Sequence, residues 1–269
     1  DITIVDPARS EYRQSFVEEF YEMRKAKGLT EEAAAAQMAQ PIPFGMMMLH
    51  RRLADGLVAG AIHSTGDTLR PALQILRTAP GVSLVSAFFF MAFEHVTYLF
   101  ADSGLVEDPT ADQLADIAVA SAGTALAFGI EPYVAMLSYS TKGSAKSRLT
   151  EKVVEATALA QARALQKFGS DSPVRIDGEL QADAALVEAV GSRKAPGSPV
   201  AGKAKVLIFP DLNAGNIGYK LVERLGGEDG DPADQVLRVE RGEWVREALD
   251  ELSDQMRSVV HLVYYEGMK

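Results

Sequence analysis

Three short apolar runs in this chain end in polar clusters and lead into stretches with helical spacing, and this repetition restricts the fold more than any other feature. Gly56 to Ile62 leads into His63-Ser64-Thr65-Gly66-Asp67-Thr68-Leu69-Arg70-Pro71. Val134-Ala135-Met136-Leu137 leads into Ser138-Tyr139-Ser140-Thr141-Lys142-Gly143-Ser144-Ala145-Lys146-Ser147, and Val206-Leu207-Ile208 leads into Phe209-Pro210-Asp211-Leu212-Asn213-Ala214-Gly215-Asn216. Strands are expected near 56–62, 83–92, 96–101, 132–138, 173–177 and 204–209, with helices near 67–78, 110–128, 145–167, 181–190 and 213–225. Alternating strands and helices predict an α/β fold with a largely parallel sheet. The adjacent pair 83–92 and 96–101, joined through Glu94-His95, also fits an antiparallel hairpin. Upstream, Ile2 to Val5 reads as a strand end. Tyr12, Phe16, Phe20 and Met23 mark one face of a helix that stops near Gly28. Thr30 opens a second helix, with Glu31 and Glu32 in its first turn, and the prolines at 41 and 43 are expected to end it. No repeat of fixed period is present.

The second polar cluster holds six hydroxyl side chains and two lysines. At a helix N-terminus, exposed N–H groups and the helix dipole favour an anion. Lys142 and Lys146 add charge, and Ser138, Ser140, Thr141, Ser144 and Ser147 offer directed hydrogen bonds. The spacing is not that of a Walker A loop. Ser and Thr are also ordinary helix caps, so the loop alone fits a well-capped helix start equally well. Ligands of open α/β sheets bind outside the carboxyl ends of the strands, so the three polar turns are expected to converge on one cleft.

With 269 residues and 47% hydrophobic content, the chain can bury a sizeable core in one large or two smaller domains. It has no cysteine, which excludes a disulfide framework, a thiol nucleophile and a thiolate metal site. Apolar stretches such as Leu84 to Phe93 are far shorter than the roughly 20 residues of a membrane span, and no cleavable signal pattern opens the chain. The expectation is a cytoplasmic protein with no membrane partner. A net charge of −10 argues against a nucleic-acid partner. That charge is uneven: residues 228–269 hold 11 acids and 5 bases.

Single residues have plainer readings too. Arg24 fits an exposed helix arginine, Arg70 a local pair with Asp67, His63 a satisfied, partly buried histidine, and Asp177 the cap of a following helix. Met46, Met47, Met48 and Phe88, Phe89, Phe90 read as core.

Eight collinear segments resemble one known family. They are Phe20-Tyr21-Glu22-Met23-Arg24-Lys25, Asp55 to Ala61, His63 to Pro71, Phe100-Ala101-Asp102-Ser103, Ser138 to Ser147, Asp177-Gly178-Glu179-Leu180-Gln181-Ala182-Asp183-Ala184-Ala185, Lys194 to Lys203, and Phe209 to Asn216. Together they are similar to the phosphate acetyl/butyryl transferase family over residues 2–227. The resemblance implies a two-domain α/β architecture like the isocitrate and isopropylmalate dehydrogenase-like folds, with the active-site cleft between domains. It implies reversible acetyl transfer between acetyl-CoA and inorganic phosphate, giving acetyl phosphate and coenzyme A, with acetyl preferred to butyryl. Coenzyme A is then a substrate, no metal or redox cofactor is required, and a homodimer is expected.

Carried over residue by residue, Arg70 binds the acyl phosphate, with Ser64, Thr65 and Thr68 around it. Arg24 serves the coenzyme A phosphates or the cleft. Ser138, Ser140, Thr141, Lys142 and Ser144 line the other side, and Asn213 and Asn216 orient the carbonyl or the phosphate. Members of the family start with a further βα unit and carry an N-D-L-S-R-G-x-S motif followed by an aspartate, which are not found in these 269 residues. Residues 1–227 therefore read as the catalytic domain and 228–269 as an acidic helical tail. Within that tail, Glu247 to Leu252 and Val259 to Gly267 resemble the opening of sigma factor region 4. Two alternatives accompany the enzyme reading: a non-catalytic acetyl-CoA-binding regulatory module of the type attached to malic enzymes, and an interaction protein acting through its C-terminal helices.

Overall fold

A computed structural model describes residues 3–60, 62–78 and 84–225, and these fall into two compact units, one up to residue 78 and one from residue 84. The expectations for 228–269, including the likeness to sigma factor region 4, lie outside the described residues.

The first unit is helical: α1 (Arg13–Arg24), α2 (Glu31–Gln37), α3 (Pro41–His50) and α4 (Thr65–Ile75). Phe16 and Phe20, one turn apart on α1, join Met38, Phe44, Met47 and Ile75 in a single apolar cluster. The rings of Phe16 and Phe44 lie 4.9 Å apart. Gly28 ends the first helical segment in the left-handed region at φ 87, where a Cβ is unfavourable. Thr30 caps α2, its side-chain oxygen accepting from Ala33 N at 3.2 Å.

Three expectations fail in this unit. The helix opened by Thr30 stops at Gln37, and Pro41, expected as a terminator, instead begins α3. Proline has no N–H to lose at a first helical position, and its fixed φ suits that site. Residues 57–60 form no strand, and Val58 is 72% exposed. Residues 3–5 are irregular as well. A strand needs a hydrogen-bonded neighbour, and among the described residues the first unit contains no other strand.

The second unit is a sheet between helices. Its strands are β1 (Phe88–Ala92), β2 (Thr97–Ala101), β3 (Tyr133–Leu137), β4 (Arg175–Leu180) and β5 (Val206–Ile208), in the spatial order β1-β2-β5-β3-β4. β1 and β2 form the antiparallel hairpin, with Phe90 opposite Leu99, and the remaining pairs are parallel. The mixed α/β class and the mostly parallel sheet are therefore as expected.

Alternation along the strands decides which helices go where. Leu99, Ala101, Val134, Met136, Val206 and Ile208 face α5 (Ala111–Ala127) and α6 (Arg148–Phe168), meeting Leu114, Ile117, Val153 and Ala160. Phe100, Ala135, Leu137 and Leu207 face the other way, onto Ala185 of α7 (Ala182–Leu186), Val200, and Tyr219 of α9 (Leu212–Leu225). Phe89 stacks on Tyr219 at 4.2 Å, while Phe88 and Phe90 pack against the α5/α6 side. The helix expected over 181–190 is two helices, α7 and α8 (Glu188–Lys194), because Val187 between them is extended at φ −108 and ψ 115.

α9 reaches the sheet through a glycine. A Cβ on Gly215 would lie 2.3 Å from the Asp102 carbonyl oxygen and 2.8 Å from Ser103 Oγ, so a larger side chain has to push the helix off the turn after β2. Gly215→Ala is expected to cost about 1–3 kcal/mol through overpacking, and a domain of this size loses roughly 2–4 °C per kcal/mol. A thermal melt of the variant that matches the parent would contradict this close approach.

Candidate active site

Because β2, β5, β3 and β4 run parallel, their carboxyl ends share one edge of the sheet. α5 and α6, which follow β2 and β3, lie on one face, and α9, which follows β5, lies on the other. The chain thus diverges on both sides of β5. Such a switch point leaves a crevice where ligands of open α/β sheets bind.

Three segments border that edge. After β2, buried Asp102 accepts from the N–H groups of Ala87, Gly104 and Leu105, each at 2.8 Å. After β5, Asp211 caps α9 by accepting from Ala214 N at 2.9 Å. Lys152 of α6 ties both turns together, donating to Asp108 Oδ1 and to the Pro210 carbonyl at 2.9 Å each. No motif in the sequence marks Lys152, since its partners lie 44 and 58 residues away.

The Ser138 to Ser147 loop is the third segment, and its donors are directed inward onto carboxylates of β4. Glu179 Oε1 accepts from Ser140 Oγ at 2.9 Å and from Gly143 N at 2.7 Å. Lys142, in the left-handed region at φ 49, donates from its ammonium to Asp177 Oδ1 at 2.5 Å and to the Gly178 carbonyl at 2.7 Å. Ser198 Oγ donates to the other Asp177 oxygen at 2.5 Å. Thr141 Oγ1 donates to Gln181 Oε1 at 3.2 Å and accepts from Gln181 N at 2.9 Å. Ser147 caps α6, accepting from Thr150 N at 3.3 Å, and shares a 2.7 Å hydrogen bond with the Tyr139 hydroxyl.

Asp177 sits inside β4 and is 5% exposed, so it does not cap a helix. In the sequence, Asp177 and Glu179 stand within one of the matching segments, and nothing local to them marks what they hold. Parallel pairing of Ala135 with Asp177 and of Met136 with Gly178 is what puts these carboxylates beside the loop. Donors left to a ligand in the loop include the proton of the half-buried Ser138 hydroxyl, which accepts from Ser140 N at 3.2 Å, one of the three ammonium protons of Lys142, whose side chain is 38% exposed, and the exposed Lys146 ammonium, 3.9 Å from Glu151.

The other expected site residues are placed as follows. In the first unit, Ser64 caps α4, accepting from Asp67 N at 3.2 Å and donating to Asp67 Oδ2 at 2.6 Å. Thr65 is exposed in the first turn, and buried Thr68 spends its hydroxyl on the Ser64 carbonyl at 3.1 Å. Arg70 is 69% exposed and stands 3.9 Å from Asp67, a contact too long to hold the guanidinium firmly. That guanidinium lies over the helix start: a Cβ on Gly66 would be 4.0 Å from Arg70 Nη2 and 3.9 Å from Ser64 Oγ. Arg24 is half-buried in the last turn of α1. His63 is exposed rather than partly buried. In the second unit, Asn213 is exposed at the start of α9 and Asn216 Nδ2 donates to the Ser103 carbonyl at 3.4 Å. The turn at 63–71 thus belongs to the first unit and follows no strand, whereas the loop at 138–147 and the turn at 209–216 share the sheet edge.

Among the described residues no helix is long and apolar enough to cross a membrane, and no cluster of three or more His, Asp or Glu residues is arranged to hold a metal.

Residues 1–230 match the phosphate acetyl/butaryl transferase family. The chain belongs to that family. A phosphate acetyltransferase of Acetivibrio thermocellus is 53% identical over 231 residues, covering 83% of this chain and 68% of the relative. One from Salmonella typhimurium is 51% identical, covering 83% of this chain but 30% of the longer relative. Among solved structures, the EutD phosphotransacetylase from Staphylococcus aureus superimposes with a TM-score of 0.74 at 49% identity, over 84% of this chain and 68% of that one. The family makes this an acyltransferase chain.

One prediction concerns the Lys152 tie. The hydrogen bond and charge of Lys152 hold the Asp108 carboxyl below the usual aspartate range. A folded-state pKa lowered in this way adds stability above the ordinary aspartate value, and that contribution is lost as pH falls through the lowered one. Lys152→Met is expected to return the Asp108 titration, followed by carboxyl-carbon NMR, to its ordinary position. An unmoved titration would show that Lys152 does not hold Asp108 in solution.

Proposed function

We propose that the start of α4 and the carboxyl edge of the sheet are the substrate surfaces of a phosphate acetyltransferase, which moves an acetyl group reversibly between coenzyme A and inorganic phosphate. The observation that carries this reading is the α4 start, where an exposed guanidinium overlies the first helical turn beside a capping hydroxyl. A helix N-terminus with an arginine over it suits a phosphate dianion, and the planar guanidinium offers two parallel hydrogen bonds. Relatives at about half identity carry the enzyme's name, which favours the transferase over a regulatory module.

The reaction needs the acyl phosphate held, the thiol proton removed as the thioester forms, and the oxyanion on the acetyl carbonyl stabilised. Arg70, with Ser64 and Thr65, takes the acyl phosphate in this reading, while Thr68 fixes the turn from beneath. Arg24 takes the phosphates of coenzyme A. On the second unit, Ser138 and the remaining Lys142 proton supply directed donors to substrate oxygens, and Ser140, Thr141 and Ser144 shape the loop that presents them. Asn213, exposed at the start of α9, and Asn216 orient the carbonyl. Attack of the thiolate on the acyl carbon expels phosphate, and electrons balance without any change of oxidation state, so the reading needs no redox cofactor; it assigns the charge on the acyl phosphate to Arg70 and includes no metal. A preference for acetyl, a homodimer, a cytoplasmic location, division at residue 227 into catalytic domain and tail, and an architecture akin to the isocitrate dehydrogenase-like folds belong to the same proposal.

Thioester formation from acetyl phosphate and coenzyme A, followed by ultraviolet absorbance, tests it. Arg70→Ala is expected to lower kcat/KM for acetyl phosphate about 10- to 100-fold, in line with about 1.5–3 kcal/mol for a hydrogen bond to a charged group. Arg24→Ala is expected to raise KM for coenzyme A while leaving that for acetyl phosphate in place. An Arg70→Ala enzyme as fast as its parent would remove the basis of the reading.

A further inference from the structure

We propose that Glu179 is a positioning residue for acyl transfer: its buried carboxylate takes the place of a bound anion inside the Ser138 to Ser147 loop and so fixes which donors the loop presents outward. This inference rests on the transferase reading and deepens it.

Glu179 is 2% exposed and Ser140 is fully buried, so neither can exchange its partner for water. The Ser140 hydroxyl has one proton and three acceptors within reach, Glu179 Oε1 at 2.9 Å, Ser144 Oγ at 3.2 Å and the Ala145 carbonyl at 3.3 Å. The nearest and charged acceptor takes it, because a hydrogen bond to an ionised group is about twice as strong as one between neutral groups. With that proton committed, Ser140 Oγ is an acceptor for its other neighbours, Ala145 N at 3.0 Å and Ser144 Oγ at 3.2 Å. Ser144 Oγ in turn accepts from Thr141 N at 3.0 Å. The two N–H groups can only donate, so what the carboxylate settles is the direction of the hydroxyl pair: Ser144 Oγ donates to Ser140 Oγ, and its own lone pair stays available to Thr141 N.

The main chain of the same residue adds to this. Lys142 N donates to the Glu179 carbonyl at 3.1 Å, and Gly143, at φ 83, aims its N–H at Oε1 from 2.7 Å. Curled in this way, the loop holds Lys142 against Asp177 and leaves Ser138 at its mouth with a free hydroxyl proton. Without Glu179, two inward donors lose their acceptor, and the loop can satisfy them only by turning them toward water or substrate.

Both bonds converge on a single carboxylate oxygen, which yields a sharp test. A glutamine at this position retains an acceptor oxygen, whereas alanine removes it. In the full-length chain, Glu179→Ala is expected to lower kcat/KM for acetyl phosphate at least about tenfold, and Glu179→Gln is expected to stay within about threefold of the parent. Trypsin is expected to cut after Lys142 and Lys146 faster in the alanine variant and at the parent's rate in the glutamine variant. An alanine variant that is folded and kinetically unchanged overturns the proposal, as does a glutamine variant impaired as deeply as alanine. Should Glu179→Ala not fold, Ser140→Ala removes the hydroxyl's bonds to Glu179, Ser144 and Ala145 N while leaving the Gly143 bond to Glu179 in place, and the same kinetic loss is expected from it; unchanged kinetics there count against the proposal. A parent chain with no acyl transfer defeats the transferase reading instead, and the tryptic pattern then decides whether Glu179 pins the loop.

Discussion

The short strand β5 carries parallel ladders on both sides, to β2 through Leu99 and Val206 and to β3 through Val134 and Val206. Much of the second unit depends on that insertion. Parallel neighbours need crossover connections, which set α5 and α6 on one face of the sheet and the chain after β5 on the other. The carboxyl ends of four strands are thereby gathered at one edge, and the chain parts there. Gly215 lets α9 start against the turn after β2, and Lys152 joins that turn to the one after β5.

The loop after β3 contrasts with the simplest reading of its composition. Hydroxyls and lysines crowded at the entrance to a helix look like a cradle for an external anion, yet the anions in contact with them are Asp177 and Glu179. Burial explains why: a buried N–H, hydroxyl or ammonium left without a partner costs more than the partnered group gains, so the fold supplies acceptors of its own. An internally satisfied loop has fewer donors to offer a ligand, and those few are held in fixed directions. For a reaction in which charge builds on a carbonyl oxygen, fixed direction is worth more than number, since donors that need not reorient stabilise the transition state most.

How much could be read in advance differs between the two units for a physical reason. In the second unit, the runs Val134 to Leu137 and Val206 to Ile208 are buried on both faces, and continuous apolar strands between helices signal a parallel sheet directly. Thr110 and Ser147 are ordinary cap residues, and both cap their helices. In the first unit, the run at 56–62 has the composition of a strand, but strand formation depends on a partner, which composition does not register. Pro41 and Pro43 were ambiguous in kind, because proline both ends one helix and starts the next.

Family membership and its acyl-transfer chemistry were determined by the sequence by itself, through segments whose residue types and order recur, and so were the α/β class and most helix limits, which rest on local periodicity and capping. Tertiary structure alone decided which side chains meet. Asp177 and Glu179 lie 35 to 39 residues from the loop residues they hold, and Lys152 lies 58 from Pro210. These contacts follow from strand order and register, which no local pattern encodes.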